Sequence, residues 1–273
     1  MSGLDIDCAL VADILTGFVR DEITKVGFER GVIGMSGGID STVSAFITAR
    51  ALGHDSVLGL IMPYKTSSPQ SAEHALLAAG QLGIETRVIQ IAPQIDAYFE
   101  LFPDAHRLRR ANKMARERMT ILYDHSLSEN ALVIGTSNKT EALLGYTTLW
   151  GDMASAVNPI GDLYKTQLRQ LARYLEVPEV IIDKAPSADL WVGQTDEEEL
   201  GFTYVEVDRL LYRLVDLRWR DYELAEAGFS WELINRVRGM IRNSQYKRRL
   251  PLIAKVSQRS VDRDFRYARD WGR

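Results

Sequence analysis

Apolar residues recur along the chain with two periods, and the alternation of those periods lays out the fold. Between residues 5 and 26, Ile6, Leu10, Ile14 and Phe18 form one row and Val11, Leu15, Val19 and Ile23 a second, together a wide stripe at helical spacing. Short apolar runs follow at Gly31 to Met35, "DSVLGLIMP", "ETRVIQIAP" and "ALVIGT", each of strand length and bounded by Gly, Pro or polar turn residues. Helical stretches separate them: about Asp40 to Leu52, "SPQSAEHALLAAGQLG", and a long one from about Ala105 to His125. A later helix, "YKTQLRQLARYLEV", ends before Pro178. From about Ser187 the periodicity weakens, and the last forty residues are rich in Arg and Lys. There is no internal repeat and no low-complexity tract.

Short strands alternating with helices predict an α/β fold, a doubly wound, mostly parallel sheet with helices on both faces. Such sheets bind ligands beyond the carboxyl ends of their strands. The turns Met35-Ser36-Gly37-Gly38 and Gly135-Thr136-Ser137-Asn138 should therefore face a ligand. With 273 residues, 46% of them hydrophobic, the chain can bury one sizeable core. We read residues 1–273 as a single domain: an N-terminal helix over 1–27, a nucleotide-binding core over 28–186, and a substrate-covering loop with a helical, basic segment over 187–273. A formal net charge of −4 argues against a general nucleic-acid binder, and no basic-aromatic interleaving suggests a stacking platform. The single cysteine, Cys8, excludes an intramolecular disulfide and a cysteine-based zinc cluster. The N-terminus carries acids where a signal peptide needs a basic start, and no apolar run approaches the roughly 20 residues that span a bilayer. A cytoplasmic protein with no membrane contact is expected.

The turn after the first strand, "SGGIDS", is built to hold an anion. Glycines at 37 and 38 let the backbone approach a ligand, the following helix presents its N-terminal N–H groups, and Ser41 adds a hydroxyl. It is not a Walker A loop, because the lysine and spacing are absent. Asp40 is the informative residue: a carboxylate beside a polyphosphate is repelled unless a divalent cation lies between them. The alternative is that Asp40 only complements the helix dipole. Asn138 and Glu141 fit a capping box at a helix start. Lys165 opens a helix, where its charge opposes the dipole, so it needs a compensating anion or else sits exposed and inert. Arg109, Asn112, Lys113 and Arg116 share one polar helical face. In "QTDEEELGF" the acids read as an ordinary helix start, with Thr195 as N-cap and Glu198 three residues on, rather than as a third metal site.

"SGGIDS" resembles the pyrophosphate loop of the N-type ATP pyrophosphatases, and "ARERM" (Ala115 to Met119), "GTSNKTEALLGY" (Gly135 to Tyr146), "KAPSADLW" (Lys184 to Trp191) and "YKRR" resemble, in that order, the NAD synthetase family. The resemblance runs over nearly the whole chain and implies an adenine nucleotide alpha-hydrolase-like fold. It also implies a reaction: deamido-NAD (nicotinic acid adenine dinucleotide), ATP and ammonia give NAD, AMP and pyrophosphate through an acyl-adenylate. The implied ATP contacts run along Gly34, Met35, Ser36, Gly37, Gly38, Ile39, Asp40 and Ser41, joined by Thr136, Lys165 and Ser187. Asp40 and Glu141 would hold Mg²⁺, and with Lys165 they would form the catalytic centre. Arg116, Tyr246 and Lys247 would contact deamido-NAD.

The chain departs from the common pattern of single-domain bacterial relatives in one loop. Many relatives read "TKYGDG…D" where this chain reads "TTLWGDMASAVNP", so Leu149 stands at a lysine position and Ala156 at an aspartate. The glutamine-dependent relatives have a loop more like this one, along with an amidase domain of about the same size that this chain is too short to contain. Cys8 has no recognisable nucleophile context, so free ammonia is the expected nitrogen source, with a separate glutaminase subunit left open. Relatives are homodimers, and the stripe over residues 6 to 23 is wide enough for a dimer contact or for packing within its own subunit. Two other classes stay open: another N-type ATP pyrophosphatase, GMP synthetase-like or tRNA-modifying, and a non-catalytic ATP-binding regulator.

Overall fold

The computed structural model describes residues 3–187, 196–249 and 251–260. The first half runs α1 (Cys8–Thr24), β1 (Arg30–Gly34), α2 (Ile39–Leu52), β2 (Val57–Ile61), α3 (Pro69–Leu82), β3 (Glu85–Val88), α4 (Ala92–Glu100), α5 (Arg107–Ser128) and β4 (Ala131–Ile134). The second half is helical: α6 (Lys139–Leu144), α7 (Lys165–Tyr174), α8 (Glu179–Ile182), α9 (Asp196–Leu200), α10 (Tyr204–Leu211), α11 (Asp221–Glu226) and α12 (Trp231–Asn243). All strand pairs are parallel, in the order β3-β2-β1-β4. Winding proceeds from β1 through β2 to β3 and then returns to place β4 on the other side of β1. The strand order therefore reverses between β1 and β4, which opens a crevice at their carboxyl ends. Both anion-facing turns lie there.

The strands alternate their faces with period two. Val32, Leu58, Leu60 and Val133 join the core under α4 and α5, while Ile33, Val57, Ile61 and Ile134 join the core under α1, α2 and α7. The wide stripe of α1 divides accordingly. Val19 and Ile23 are fully buried and Val11 and Leu15 pack on the same core, whereas Leu10, Ile14 and Phe18 remain exposed.

Two stretches differ from the sequence expectation. "ETRVIQIAP" is a strand only over Glu85–Val88, and its second part leads into α4, which buries Ile95 and Phe99 with Ile91 just ahead of it. Pro93, which reads as a strand terminator, lies in the first turn of α4, where its missing N–H costs no helical bond. The weak periodicity beyond Ser187 conceals α9 to α12, whose Leu210, Leu211, Leu224, Ile234 and Val237 build a third core. Three of these helices have eight residues or fewer, too few turns to show a period. The fourth, α12, with 13 residues, carries Leu233, Ile234, Val237 and Ile241 at helical spacing and was legible in principle. Leu4, Leu144 and Tyr164 complete that core from elsewhere in the chain. The expected N-cap Thr195, and Trp191, fall outside the described residues.

Candidate active site

The cradle after β1 is shaped by its own hydroxyls. Ser41 Oγ accepts from Ser36 N at 3.2 Å and lies 3.1 Å from both Ser36 Oγ and Gly38 O. Gly37 takes the left-handed conformation, φ +71°, and a Cβ there would come within 2.0 Å of the Ser71 carbonyl on α3. Only glycine fits between that conformation and that neighbour. Gly38 is the N-cap of α2, so the first-turn backbone of the helix opens toward the crevice.

Three elements bring charge to the mouth of this cradle. Lys165, the first residue of α7, is 2% exposed, and its Nζ donates to Asp40 Oδ2 at 2.5 Å and to Glu141 Oε1 at 3.3 Å. Lys165 is therefore not exposed, and Asp40 and Glu141 are the anions that compensate it in this structure. Burial lowers the pKa of this ammonium; the Asp40 and Glu141 carboxylates outweigh it and hold the Lys165 pKa above the ordinary lysine value. Burial, and then the charge of Asp40, push Glu141 up, against the pull of Lys165. The capping box is present as well: Glu141 N donates to Asn138 Oδ1 at 2.9 Å, and Asn138 N reaches Glu141 Oε2 at 3.4 Å. The carboxylate thus divides its oxygens, one for its own helix and one for Lys165.

The surrounding cleft has a volume of about 490 Å³. Of the residues singled out from sequence, Gly34, Met35, Ser36, Gly38, Ile39, Asp40, Ser41, Thr136, Glu141, Lys165, Ser187 and Lys247 line it. Gly37 acts from behind, through its contact with α3. Arg116 and Tyr246 do not line the cleft: Arg116 is exposed and donates to Leu149 O at 3.1 Å, and Tyr246 is 62% exposed. Two residues along α5, Arg118 does line it, with Nε bonded to Met62 O at 3.0 Å. Lys247 donates to Gly145 O at 2.8 Å and Thr147 O at 2.7 Å, tying the segment after α12 to the loop after α6.

Several site residues were not legible as such. Asn138, assigned only to its helix cap, also donates through Nδ2 to Asp40 Oδ1 at 2.7 Å. Asp196, read as one acid of a helix start, is buried and accepts from Tyr204 Oη at 3.1 Å and Tyr146 Oη at 3.2 Å. Burial raises its pKa, with Lys165 and the two tyrosines opposing. Its exposed neighbours Glu198 and Glu199 show why the run reads as a solvated face. On the opposite wall Thr148 donates to Asn112 Oδ1 at 2.8 Å, and Asp152 Oδ1 accepts from Thr148 N at 2.6 Å.

The donor set suits a hard divalent cation. Asp40 and Glu141 converge on the Lys165 ammonium, which takes the point their oxygens share, so a cation held by both would use their remaining lone pairs. Among the described residues no group of three or more His, Cys, Asp or Glu side chains is arranged to hold a metal. Two carboxylates, with the remaining positions left to water and phosphate, match the way Mg²⁺ is held in nucleotide sites.

A parallel sheet with a Ser-Gly-Gly cradle at its switch point, and an aspartate inside that cradle, defines an ATP pyrophosphatase of the N-type fold. The chain belongs to the NAD synthase family, whose model matches residues 11–251. It is 59% identical, over the full length of both proteins, to an NH(3)-dependent NAD(+) synthetase of Trichlorobacter lovleyi. Among solved structures it resembles an NMN synthetase from Francisella tularensis, with a TM-score of 0.82 and 34% identity over 92% of this chain and 99% of that one. It also resembles the NH3-dependent NAD synthetase of Campylobacter jejuni, with a TM-score of 0.79 and 33% identity over 92% of this chain and 100% of that one.

Proposed function

We propose that the chain is an ammonia-dependent NAD synthetase, a ligase that amidates deamido-NAD with cleavage of ATP to AMP and pyrophosphate. The observation that carries this reading is the convergence of Asp40 and Glu141 on Lys165 beside the cradle that follows β1. A carboxylate is a poor electrophile and oxide a poor leaving group, so the acid is first activated. Its oxygen attacks the α-phosphorus, the bond to the β-phosphate breaks, and an acyl-adenylate forms. The departing pyrophosphate is received by the first turn of α2 with Ser36 and Ser41, where N–H groups and hydroxyls meet its oxygens. Lys165, kept protonated by its two carboxylates, faces the charge that builds on those oxygens. Bound Mg²⁺, held by Asp40 and Glu141, would supply further neutralisation of the phosphates. Ammonia then attacks the acyl carbon, AMP leaves, and a proton is lost. No nucleophilic side chain is needed, since positioning does the work.

Thr136 and Ser187 line the same cleft and are read as ATP contacts, and Lys247 as a contact to the dinucleotide; Arg116 and Tyr246, outside it, are read as rim contacts to the same substrate. The exposed row Leu10, Ile14 and Phe18 on α1 supports a homodimer, testable by light scattering on Ile14→Arg. We place the enzyme in the cytoplasm, with its ATP supply; among the described residues no helix is long and apolar enough to cross a membrane.

The test is pyrophosphate release with ATP, Mg²⁺, ammonium chloride and a panel of acids, with products identified by mass. Release should follow deamido-NAD. The Francisella neighbour is called an NMN synthetase, so nicotinic acid mononucleotide belongs in the panel. Preference for it, or for an unrelated nucleotide, would replace the dinucleotide reading.

A further inference from the structure

Asp208 lies on α10, fully buried and outside the cleft. Its two oxygens go to two different helices. Oδ1 accepts from the Thr140 hydroxyl at 2.6 Å, and Oδ2 accepts from the Thr166 N–H at 2.8 Å. Thr140 Oγ1 in turn accepts from the Lys165 N–H at 3.0 Å. Thr140 immediately precedes Glu141, and Thr166 immediately follows Lys165. One carboxylate therefore yokes the first turns of α6 and α7, the two helices whose side chains meet at the Lys165–Glu141 pair.

We infer that Asp208, acting through Thr140, is a positioning residue that sets Lys165 against Glu141 and Asp40. The proposal rests on Lys165 and Glu141 working in the reaction assigned above. Capping is part of the arrangement: Asn138 caps α6, and at the start of α7 Gln167 Oε1 takes only the Tyr164 N–H, at 3.0 Å, which leaves the Lys165 and Thr166 N–H groups to Thr140 and Asp208. Capping alone does not require one side chain to serve both helices. Burying a carboxylate is costly, and separate neutral acceptors would satisfy the same donors at lower cost. A carboxylate does what an apolar residue cannot: two acceptors at fixed spacing grip two helix N-termini, whose dipoles favour the charge. Lysine has a long, flexible side chain, so the placement of its ammonium depends on a fixed backbone root. Near the reacting atoms, misplacement by about 1 Å can cost about a hundredfold in rate.

The test uses the full chain carrying Thr140→Val, Thr140→Ser or Asp208→Asn, assayed for pyrophosphate release below the unfolding temperature of each variant. Thr140→Val keeps the shape and removes the hydroxyl; kcat should fall about 10- to 100-fold, the range seen when residues supporting a metal or catalytic site are lost. The KM for ATP should stay near wild type, because the cradle after β1 is untouched. Thr140→Ser should recover most of the rate. Asp208→Asn offers only one acceptor for two donors and should resemble Thr140→Val. If Thr140→Val does not fold, Thr140→Ala removes the same hydroxyl. A folded Thr140→Val or Thr140→Ala with wild-type kcat overturns the positioning role, as does a Thr140→Ser that stays as slow as they are. Wild-type protein that releases no pyrophosphate with any acid would overturn the assigned reaction instead.

Discussion

The side-chain amide of Asn138 donates to Asp40 Oδ1 at 2.7 Å, so the residue that caps α6 also holds the carboxylate of α2 across the switch point. Residues 98 positions apart are joined by one bond. Asp40 thus sits between two fixed donors, Asn138 on one oxygen and Lys165 on the other.

Asp40→Asn should lower activity by about a hundredfold or more, since it removes charge from the centre that faces the phosphates. An amide cannot accept from both Asn138 and Lys165 in one orientation, so stability should also fall, by about 1–3 kcal/mol for a buried donor left without its partner. Steady-state kinetics and denaturant unfolding read the two effects separately. Wild-type turnover at limiting Mg²⁺ would return Asp40 to a purely structural role.

Asn138→Ala and Asn138→Asp separate its two tasks. Alanine loses the cap and should cost about 1 kcal/mol of stability along with activity. Aspartate still accepts from the Glu141 N–H but buries a second carboxylate against Asp40, so activity should stay low and stability should fall further than in the alanine variant. Equal activity in Asn138→Asp and wild type would show that the bond to Asp40 is incidental.

Gly37 and Gly38 look equivalent in the sequence and should not behave equivalently. Gly37→Ala would force a Cβ to within 2.0 Å of a backbone carbonyl at positive φ, so the loop must leave α3; stability should fall by more than about 1 kcal/mol and the KM for ATP should rise. Gly38→Ala meets only Ser36 Oγ, at 3.4 Å, and should fold almost as well as wild type. Thermal unfolding of the pair is the check, and similar melting temperatures would contradict it.

Purified protein should use ammonium chloride and use glutamine poorly or not at all. Freeing ammonia from an amide needs an activated nucleophile. Cys8 does not line the cleft, and burial, then the charge of Asp7, push its thiol pKa up, away from thiolate character. Because NH3 and not NH4⁺ attacks, the apparent KM for total ammonium should fall as pH rises toward the ammonium pKa. Robust glutamine-driven synthesis in ammonia-free buffer would count against this.

At the opposite end of the sheet, Glu129 takes Arg87 at 2.6 Å and Arg30 at 3.5 Å, and the Arg87 bond holds its pKa below the usual glutamate value. A depressed carboxyl pKa stabilises the fold above the unfolded value, about 4.3, and that contribution is lost as pH falls through the folded pKa. Glu129→Gln should therefore be less stable than wild type at pH 7 and converge with it once the pH has fallen below the folded Glu129 pKa, with kcat at pH 7 unchanged. Parallel stability curves across that range would exclude the ion pair as the cause.

What could be read from sequence follows from the reach of each signal. Glycines, a helix start and an aspartate within one hexapeptide are a local pattern, so the Ser36–Ser41 cradle was legible. So were β1, β2 and β4, which are largely apolar runs, whereas the edge strand β3 is Glu-Thr-Arg-Val and has no buried residue. Asp196 and Asp208 were not, because a buried carboxylate has the same letter as a solvated one, and only tertiary partners such as Tyr204 and Thr140 distinguish them. Arg118 was missed for a related reason: two residues from Arg116, it lies on another face of α5, with Ala111, Ala115 and Leu122, and only the packing of α5 shows that this face lines the cleft.

Leu4 completes a core built chiefly from residues between Leu200 and Val237. A chain made from its N-terminus exposes this leucine long before its partners exist. At the usual pace of ribosomes, about 5–20 residues per second, the gap of about 200 residues lasts on the order of 10–40 seconds. During that interval the sheet can form, but the N-terminal strap that Gln170 will hold, through Leu4 O at 3.0 Å, has no seat. The last helices to be synthesised therefore decide when the first residues come to rest.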